Sequence, residues 1–442
     1  MFFKKKEKPI IISVGGSLIV PDVNIDIDFL RKLNEFIRYY VAKKKRFFLV
    51  TGGGTIMRRY RDAAISVIKG VTNDDLDWLS IHCTHLNGHL LRTIFQDIAH
   101  PRVIQHYDRK LHNWKEPVVV GAGWKPGWTT DYDAVLLARD YGANLIINLS
   151  NIDWVYDKDP SKFKDAKPIK KITWEEMGKI VGSKHSPGIN APFDPIATQL
   201  AKDLNLTVIV VNGKNFDNLH KIIDGDDFKG TVITPYKVDA SFYDREYYKG
   251  EKSGYLIGSR ESFFGKMLKN LSGFYRALLI KLFLNPKNCL DVGCGTGKLV
   301  RWLRFLGIEA YGVEISKDAI NMADKNVKLY LKQGDIINLP YDSDQFDLVV
   351  TSDVFEHIEK SKIKKSASET IRIAKKYLLH KIYTPENGWI DLFHTKDYSH
   401  VSIMEKKYWQ EIFASFENIS ILRGSFFRLP SFFETIFLLK KK

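Results

Sequence analysis

Cysteine is scarce in this chain: three in 442 residues, Cys83, Cys289 and Cys294, an odd number without metal-ligand spacing. That excludes a disulfide framework, points to a reducing compartment and predicts no metal site. Long apolar runs are also missing, so no membrane-spanning helix is expected. Phe2-Phe3-Lys4-Lys5-Lys6 ahead of Ile10–Val14 has the outline of a signal peptide. Gly15-Gly16-Ser17 interrupts that run, however, and a first β-strand in a cytoplasmic protein is the expectation. There is no Walker-type Gly-x4-Gly-Lys-Ser/Thr loop, no internal repeat and no low-complexity tract.

What is present is ordinary globular material, 44% apolar and 27% charged, in a length that suits two to three domains. Lys plus Arg is 67 against 52 acidic residues, a net charge of +15 that suits anionic partners. The basic residues fall in short scattered runs that read as solvated faces, so a nucleic-acid groove is the second reading.

Short β-rich runs alternate with helical patterns, which predicts mainly parallel α/β sheets. Expected strands in the first half are Ile10–Val14, Arg46–Val50, Pro117–Val120, Asn144–Asn148 and Thr207–Val211. Helices are expected over Ile27–Ala42, Asp74–Gln96, Asp133–Tyr141 and Pro195–Leu204. A tyrosine-rich stretch after Pro235 marks the domain junction. A second strand series follows: Asn288–Val292, Ala310–Val313, Val327–Gln333, Phe346–Thr351 and Tyr377–Ile382. The stretch Leu268–Leu284 reads as a helix packed on that second sheet.

Polar, glycine-rich loops follow four strands of the first half. They are Gly15-Gly16-Ser17, Gly52-Gly53-Gly54, Gly121 through Asp131, and Ser150 through Pro160. Glycine lets backbone N–H groups approach a ligand, and strand C-terminal ends are where open α/β sheets bind theirs. A helix after Gly54 would add the positive end of its dipole, with Arg58 near its start.

This set resembles the UMP kinases of the amino acid kinase family. The motifs are Val14-Gly15-Gly16-Ser17, Thr51-Gly52-Gly53-Gly54 with Arg58 and Tyr60, Pro126 through Asp131, Asn151 through Tyr156 with Asp159-Pro160, and Asp194-Pro195. The resemblance implies ATP held by Gly16, Ser17, Gly54, Arg58, Ser150, Tyr156 and Asp159. It implies UMP held by Gly53, Asp77, Trp124, Lys125, Pro126, Gly127, Trp128, Thr129 and Thr130. Arg58, Lys125 and Asp153 are the expected catalytic set, with Mg²⁺ carried on the ATP phosphates, and a homohexameric core is implied. The sequence departs from the wider family at Ser13, where Lys is common, and at Trp124 and Trp128. Those departures leave open another phosphorylated acceptor, or a nucleotide-binding module that regulates the second half.

In the second half, Gly293-x-Gly295-x-Gly297 follows a strand and precedes a helix. The NAD fingerprint needs a glycine where Lys298 stands, so a donor without a diphosphate is expected. Glu314 ends the next strand, where a carboxylate can accept both ribose hydroxyls, and Asp335 can accept an adenine amine. Leu290–Lys298, Tyr311–Glu314, Gly334-Asp335 and Phe346–Ile358 together resemble class I S-adenosylmethionine-dependent methyltransferases. The resemblance implies a donor site of Asp291, Gly293, Gly295, Gly297, Glu314, Asp335 and Asp353. It implies acceptor-side groups among Asp353, His357, His394, Tyr398 and His400, an aromatic lid over Phe242–Tyr255, and a closing hairpin of Asn418–Gly424 with Glu434–Leu439.

The expectation is therefore an α/β protein of two domains. The first, 1–235, is a three-layer αβα sandwich of the UMP kinase kind. The second, 236–442, is a Rossmann-like seven-stranded methyltransferase fold whose residues 236–287 form linker and lid. The two donors are ATP and S-adenosylmethionine, and the methyl acceptor is left open, with RNA as one alternative.

Overall fold

The computed structural model describes residues 8–160, 162–182, 191–236, 242–249, 263–384, 399, 401–422 and 435–442, with backbone alone at 249 and 263–272. The chain folds as two compact units, Met1–Lys237 and Val238–Lys442.

The first unit runs β1 (Ile10–Val14), α1 (Gly16–Ile19), α2 (Ile27–Ala42), β2 (Phe47–Thr51), α3 (Gly54–Val67), α4 (Asn73–Ile94), β3 (Val118–Gly121), α5 (Thr130–Tyr141) and β4 (Leu145–Ser150). It continues with β5 (Val155–Tyr156), β6 (Pro168–Ile169), β7 (Lys171–Thr173), α6 (Trp174–Val181), α7 (Pro195–Asp203), β8 (Thr207–Asn212), α8 (Phe216–Asp224) and β9 (Thr231–Thr234). The seven-stranded sheet has the order β3-β2-β1-β4-β8-β9-β7. Its first five strands are parallel, and β9 turns antiparallel against β8. Helices cover both faces, so the central strands are apolar on both sides: all five residues of β2 are buried. Two apolar cores result, one beneath α5, α6 and α7, the other beneath α2, α4 and α8.

Local chemistry sets the helix starts. Asp26 accepts the Phe29 N–H at 2.9 Å and caps α2, whose buried Phe29, Leu30, Leu33, Phe36, Ile37 and Tyr40 recur at helical period. Thr173 and Glu176 close a capping box on α6. The bounds of β1 and α2 coincide with those read from the sequence. The glycine-loop helix starts at Gly54, however, so Arg58 lies one turn inside it rather than at its head.

The second unit runs α9 (Arg245–Lys249), α10 (Phe263–Phe283), β10 (Asn288–Val292), α11 (Lys298–Phe305), β11 (Glu309–Glu314), α12 (Lys317–Asn321), α13 (Lys325–Lys328), β12 (Leu331–Gln333) and β13 (Phe346–Ser352). A short 3₁₀ turn at Phe355–His357, α14 (Lys360–Ile373), β14 (Ala374–Ile382), α15 (Lys406–Ala414), β15 (Ile419–Ile421) and β16 (Thr435–Lys441) complete it. The sheet order is β12-β11-β10-β13-β14-β16-β15, parallel through β14 and antiparallel at β16 and β15. The strand expected over Val327–Gln333 is a correction. Asp324 accepts the Asn326 N–H at 2.9 Å and starts α13, so only Leu331–Gln333 pairs in the sheet.

Candidate functional site

In the first unit the loops after β1 and β2 meet backbone to backbone. Gly52 N–H donates to Val14 O at 3.0 Å, and Gly15 N–H to Leu149 O at 2.9 Å. A Cβ on Gly52 would lie 2.6 Å from Gly16 N, and one on Gly16 would fall onto Gly54 N. Gly54 has φ +74° and would set a Cβ 2.6 Å from Gly16 O. Glycine is therefore required on both sides of this seam. Helix α3 starts here on Gly53, which offers no side-chain cap, and the Thr55 N–H of its first turn donates to Val20 O at 3.0 Å.

The loops after β2 and β3 are held from α4. Asn87 Nδ2 donates to Gly52 O at 2.8 Å, Gly123 N–H to Thr84 Oγ1 at 2.8 Å, and Gly127 N–H to Asp77 Oδ2 at 2.8 Å. Asp77 thus fixes the loop that carries Trp124, Lys125, Pro126, Gly127, Trp128, Thr129 and Thr130. Thr129 caps α5 through Tyr132 N–H. The Trp124 and Trp128 rings meet edge to face at 4.9 Å, and the Lys125 ammonium lies 4.7 Å and 4.0 Å from their centroids. The two tryptophans thus hold the loop's one cation.

After β4, Asp153 Oδ1 accepts Asn212 Nδ2 at 3.0 Å, and Asn212 Oδ1 accepts the Lys214 N–H at 3.0 Å. Ser150 ends β4, Tyr156 lies in β5, and Asp159 pairs with Lys162 at 3.7 Å. Below the rim, Ser13 Oγ donates to Asp131 Oδ1 at 3.2 Å, and Asp194 N–H donates to Asp131 Oδ2 at 3.2 Å. Burial, then the Asp194 charge, push Asp131 up to about 7. Asp133 is fully buried, both its oxygens lack a partner, and burial holds it well above the carboxylate range.

In the second unit Gly293, Gly295 and Gly297 all have positive φ, +75°, +54° and +74°. The loop curls between β10 and α11, and Glu314 closes it, accepting Gly295 N–H at 2.8 Å and Ser316 N–H at 3.0 Å. Burial raises Glu314, while those N–H groups and the Tyr248 hydroxyl pull it back. Asp291, buried in β10, is pushed to about 7 by burial against the opposing charge of Arg276. Asp335 follows β12 and accepts Ile337 N–H at 3.1 Å. Asp353 follows β13 at φ +55° and pairs with Lys381 at 2.7 Å. Burial raises its carboxyl, and Lys381 and Arg276 outweigh that and hold it low. His357 Nδ1 meets Ser399 Oγ at 2.8 Å, and its ring stands edge-on to Tyr243 at 5.9 Å. His394, Tyr398 and His400, and the lid beyond residue 249, lie outside the described residues.

Both glycine loops thus sit at C-terminal strand ends. Sequence reasoning missed Thr84 and Asn87, whose signal is polarity on the buried face of an amphipathic helix. It also missed Asn212, Lys214, Arg276 and Lys381.

Neither unit places three or more His, Cys, Asp or Glu side chains as a metal cage among the described residues. No helix among the described residues is long and apolar enough to cross a membrane.

Residues 8–212 match the amino acid kinase family, and residues 290–377 match a methyltransferase domain. The chain is 31% identical over 229 residues to the uridylate kinase of Methanobrevibacter smithii, covering 51% of this chain and 99% of that protein. It is 33% identical over 213 residues to the uridylate kinase of Sulfurisphaera tokodaii, covering 48% and 93%. Among solved structures, the uridylate kinase of Archaeoglobus fulgidus is similar at 29% identity and a TM-score of 0.43, covering 51% of this chain and all of that one.

Proposed function

Since the chain belongs to the amino acid kinase family through its first half and carries a methyltransferase domain in its second, we propose that it is a bifunctional transferase. Residues 1–235 transfer a phosphoryl group from ATP to UMP, and residues 236–442 methylate an acceptor with S-adenosylmethionine. The observation that carries the kinase reading is the main-chain seam between Gly16 and Gly52–Gly54, with a donor-side and an acceptor-side loop flanking it.

Gly16, Ser17, Gly54 and Arg58 hold the ATP phosphates in this reading, and Ser150, Tyr156 and Asp159 line the adenosine side. Gly53, Asp77 and Trp124–Thr130 hold UMP. A nucleoside monophosphate is largely dianionic at neutral pH, so the acceptor needs no strong base. The task is alignment and charge neutralisation. Backbone N–H groups and Arg58 serve the donor, and Lys125 the acceptor, while Asp153 orients its neighbours. Mg²⁺ supplies bridging charge on the donor phosphates.

In the second unit Asp291, Gly293, Gly295, Gly297, Glu314, Asp335 and Asp353 hold S-adenosylmethionine. Glu314 takes the ribose hydroxyls. The sulfonium is already activated, so alignment and exclusion of water suffice. Exposed Tyr60, Ile65, Val67 and Ile68 on and after α3 support a homo-oligomer, a hexamer by resemblance. Both donors are cytoplasmic metabolites, which is where this reading places the protein.

The test is ADP release from ATP–Mg²⁺ across a panel of nucleoside monophosphates, with S-adenosylmethionine calorimetry on the same full-length chain. UMP-dependent release with micromolar donor binding is expected. Absence of both sinks the proposal.

A further inference from the structure

A phosphoryl transfer between two anions needs cations at the donor phosphates, and position 13, at the end of the central strand, carries a serine. Two lysines between β5 and β6 are engaged with neighbouring carboxylates. Lys158 lies 2.6 Å from Asp165 and 5.2 Å from the Phe163 ring, and Lys162 pairs with Asp159. Lys214 is built differently. It follows β8, two strands from β1, and its N–H is fixed by Asn212, which Asp153 holds in turn. Gly213 N–H donates to Ser150 O at 2.9 Å, and a Cβ on Gly213 would collide with Leu18 of α1. The backbone of Lys214 is therefore locked beside the Gly16–Ser17 turn. Its ammonium is only tethered: it reaches Asp26 Oδ2 at 3.0 Å, and 54% of the side chain is exposed. Asp26 is meanwhile engaged through Oδ1 as the cap of α2.

We propose that Lys214 is a second donor-phosphate cation of the first unit beside Arg58, parked on Asp26 until a nucleoside triphosphate draws its ammonium over to the phosphate oxygens. The inference rests on the kinase reading and adds a residue to it. In the transfer, an acceptor phosphate oxygen bonds the γ-phosphorus while the bond from that phosphorus to the β–γ bridging oxygen breaks. The electron pair stays on the departing diphosphate, and Lys214 keeps its proton and balances the charge that collects there. Asp153 and Asn212 are positioning residues in this scheme.

The test uses the full chain, a non-hydrolysable ATP analogue with Mg²⁺ in calorimetry, and steady-state kinetics. Lys214→Met is expected to weaken analogue binding about tenfold and lower kcat about 100-fold, with the acceptor KM held within about twofold. Lys214→Arg should recover most of the binding. Asp26→Asn keeps the helix cap, since Asn caps as well as Asp, and frees the ammonium. It should tighten analogue binding about two- to fivefold, the worth of an exposed ion pair. If Lys214→Met and Asp26→Asn both lower the unfolding midpoint and leave binding and kinetics unchanged, Lys214 is a structural tie and the proposal fails. Analogue binding by the wild type that is indifferent to Lys214→Met also overturns it. A wild-type chain that binds no analogue overturns the kinase reading itself, a separate outcome.

Discussion

Replacing Asp131 by Asn should change how the stability of the first unit depends on pH, and in a direction that can be worked out. Burial and the neighbouring Asp194 charge raise the Asp131 carboxyl from 3.8 to about 7, against the Ser13 hydroxyl and Asp194 N–H that favour its ionised form. The unfolded chain gives up this proton near 3.8, and the folded chain keeps it to about 7. Between those values the native state binds the extra proton, so wild-type stability falls as pH rises, by about 1.4 kcal/mol per pH unit. The full window corresponds to at most about 4 kcal/mol, and the part between pH 5 and pH 8 to about 3 kcal/mol. Asn cannot ionise and loses one accepted hydrogen bond, a pH-independent penalty of about 1 kcal/mol. The variant should therefore be about 1 kcal/mol less stable than wild type near pH 3, level with it near pH 4.5, and about 3 kcal/mol more stable at pH 8. For a unit of this size each kcal/mol moves the midpoint by about 2–4 °C. Urea unfolding of the full chain followed by tryptophan fluorescence, at half-unit pH steps, reads the difference. A variant-minus-wild-type difference that stays flat from pH 5 to pH 8 would refute the reasoning, because Asp131 would then ionise alike in both states.

Gly16→Ala forces a methyl into the Gly52–Gly54 backbone, so UMP-dependent ADP release should fall at least about 100-fold, and wild-type turnover would contradict the seam. Asp77→Ala removes the acceptor that fixes Gly127 N–H at 2.8 Å, so the UMP KM should rise about tenfold while the ATP KM holds, and an equal rise in both would count against an acceptor-loop role. Glu314→Gln loses part of the network to Gly295 and Ser316, so S-adenosylmethionine binding by calorimetry should weaken about 10- to 100-fold, and undiminished affinity would move the ribose elsewhere.

Much of this fold was legible because its signals are local. The Ile-Ile-Ile run of β1 and the period of α2 fixed their bounds, and Gly293-x-Gly295-x-Gly297 announced its own turn. α8 was legible too, with Asn215 as cap and Gly225 as stop, yet its short apolar stripe drew no reading. Val327–Gln333 was misread because β-branched and aromatic residues outweighed the cap signal of Asp324. The site was legible only where one loop supplies the group. Asn212 and Lys214 matter because β8 lies beside β4, and Ser13 meets Asp131 across 118 positions of sequence. No periodicity reports a pairing of that kind.

The contact between Gly16 and Gly52–Gly54 has no side chain in it, and therefore no rotamer that can yield. A shift of a few tenths of an ångström on one lip has to appear on the other. In the proposed reaction Gly16 and Gly54 grip the triphosphate while Gly53, on the same seam, meets the acceptor. A change in the bare peptide planes themselves would therefore be felt at both berths, whereas one in the flanking loop that Asp77 holds would be felt at the acceptor's alone.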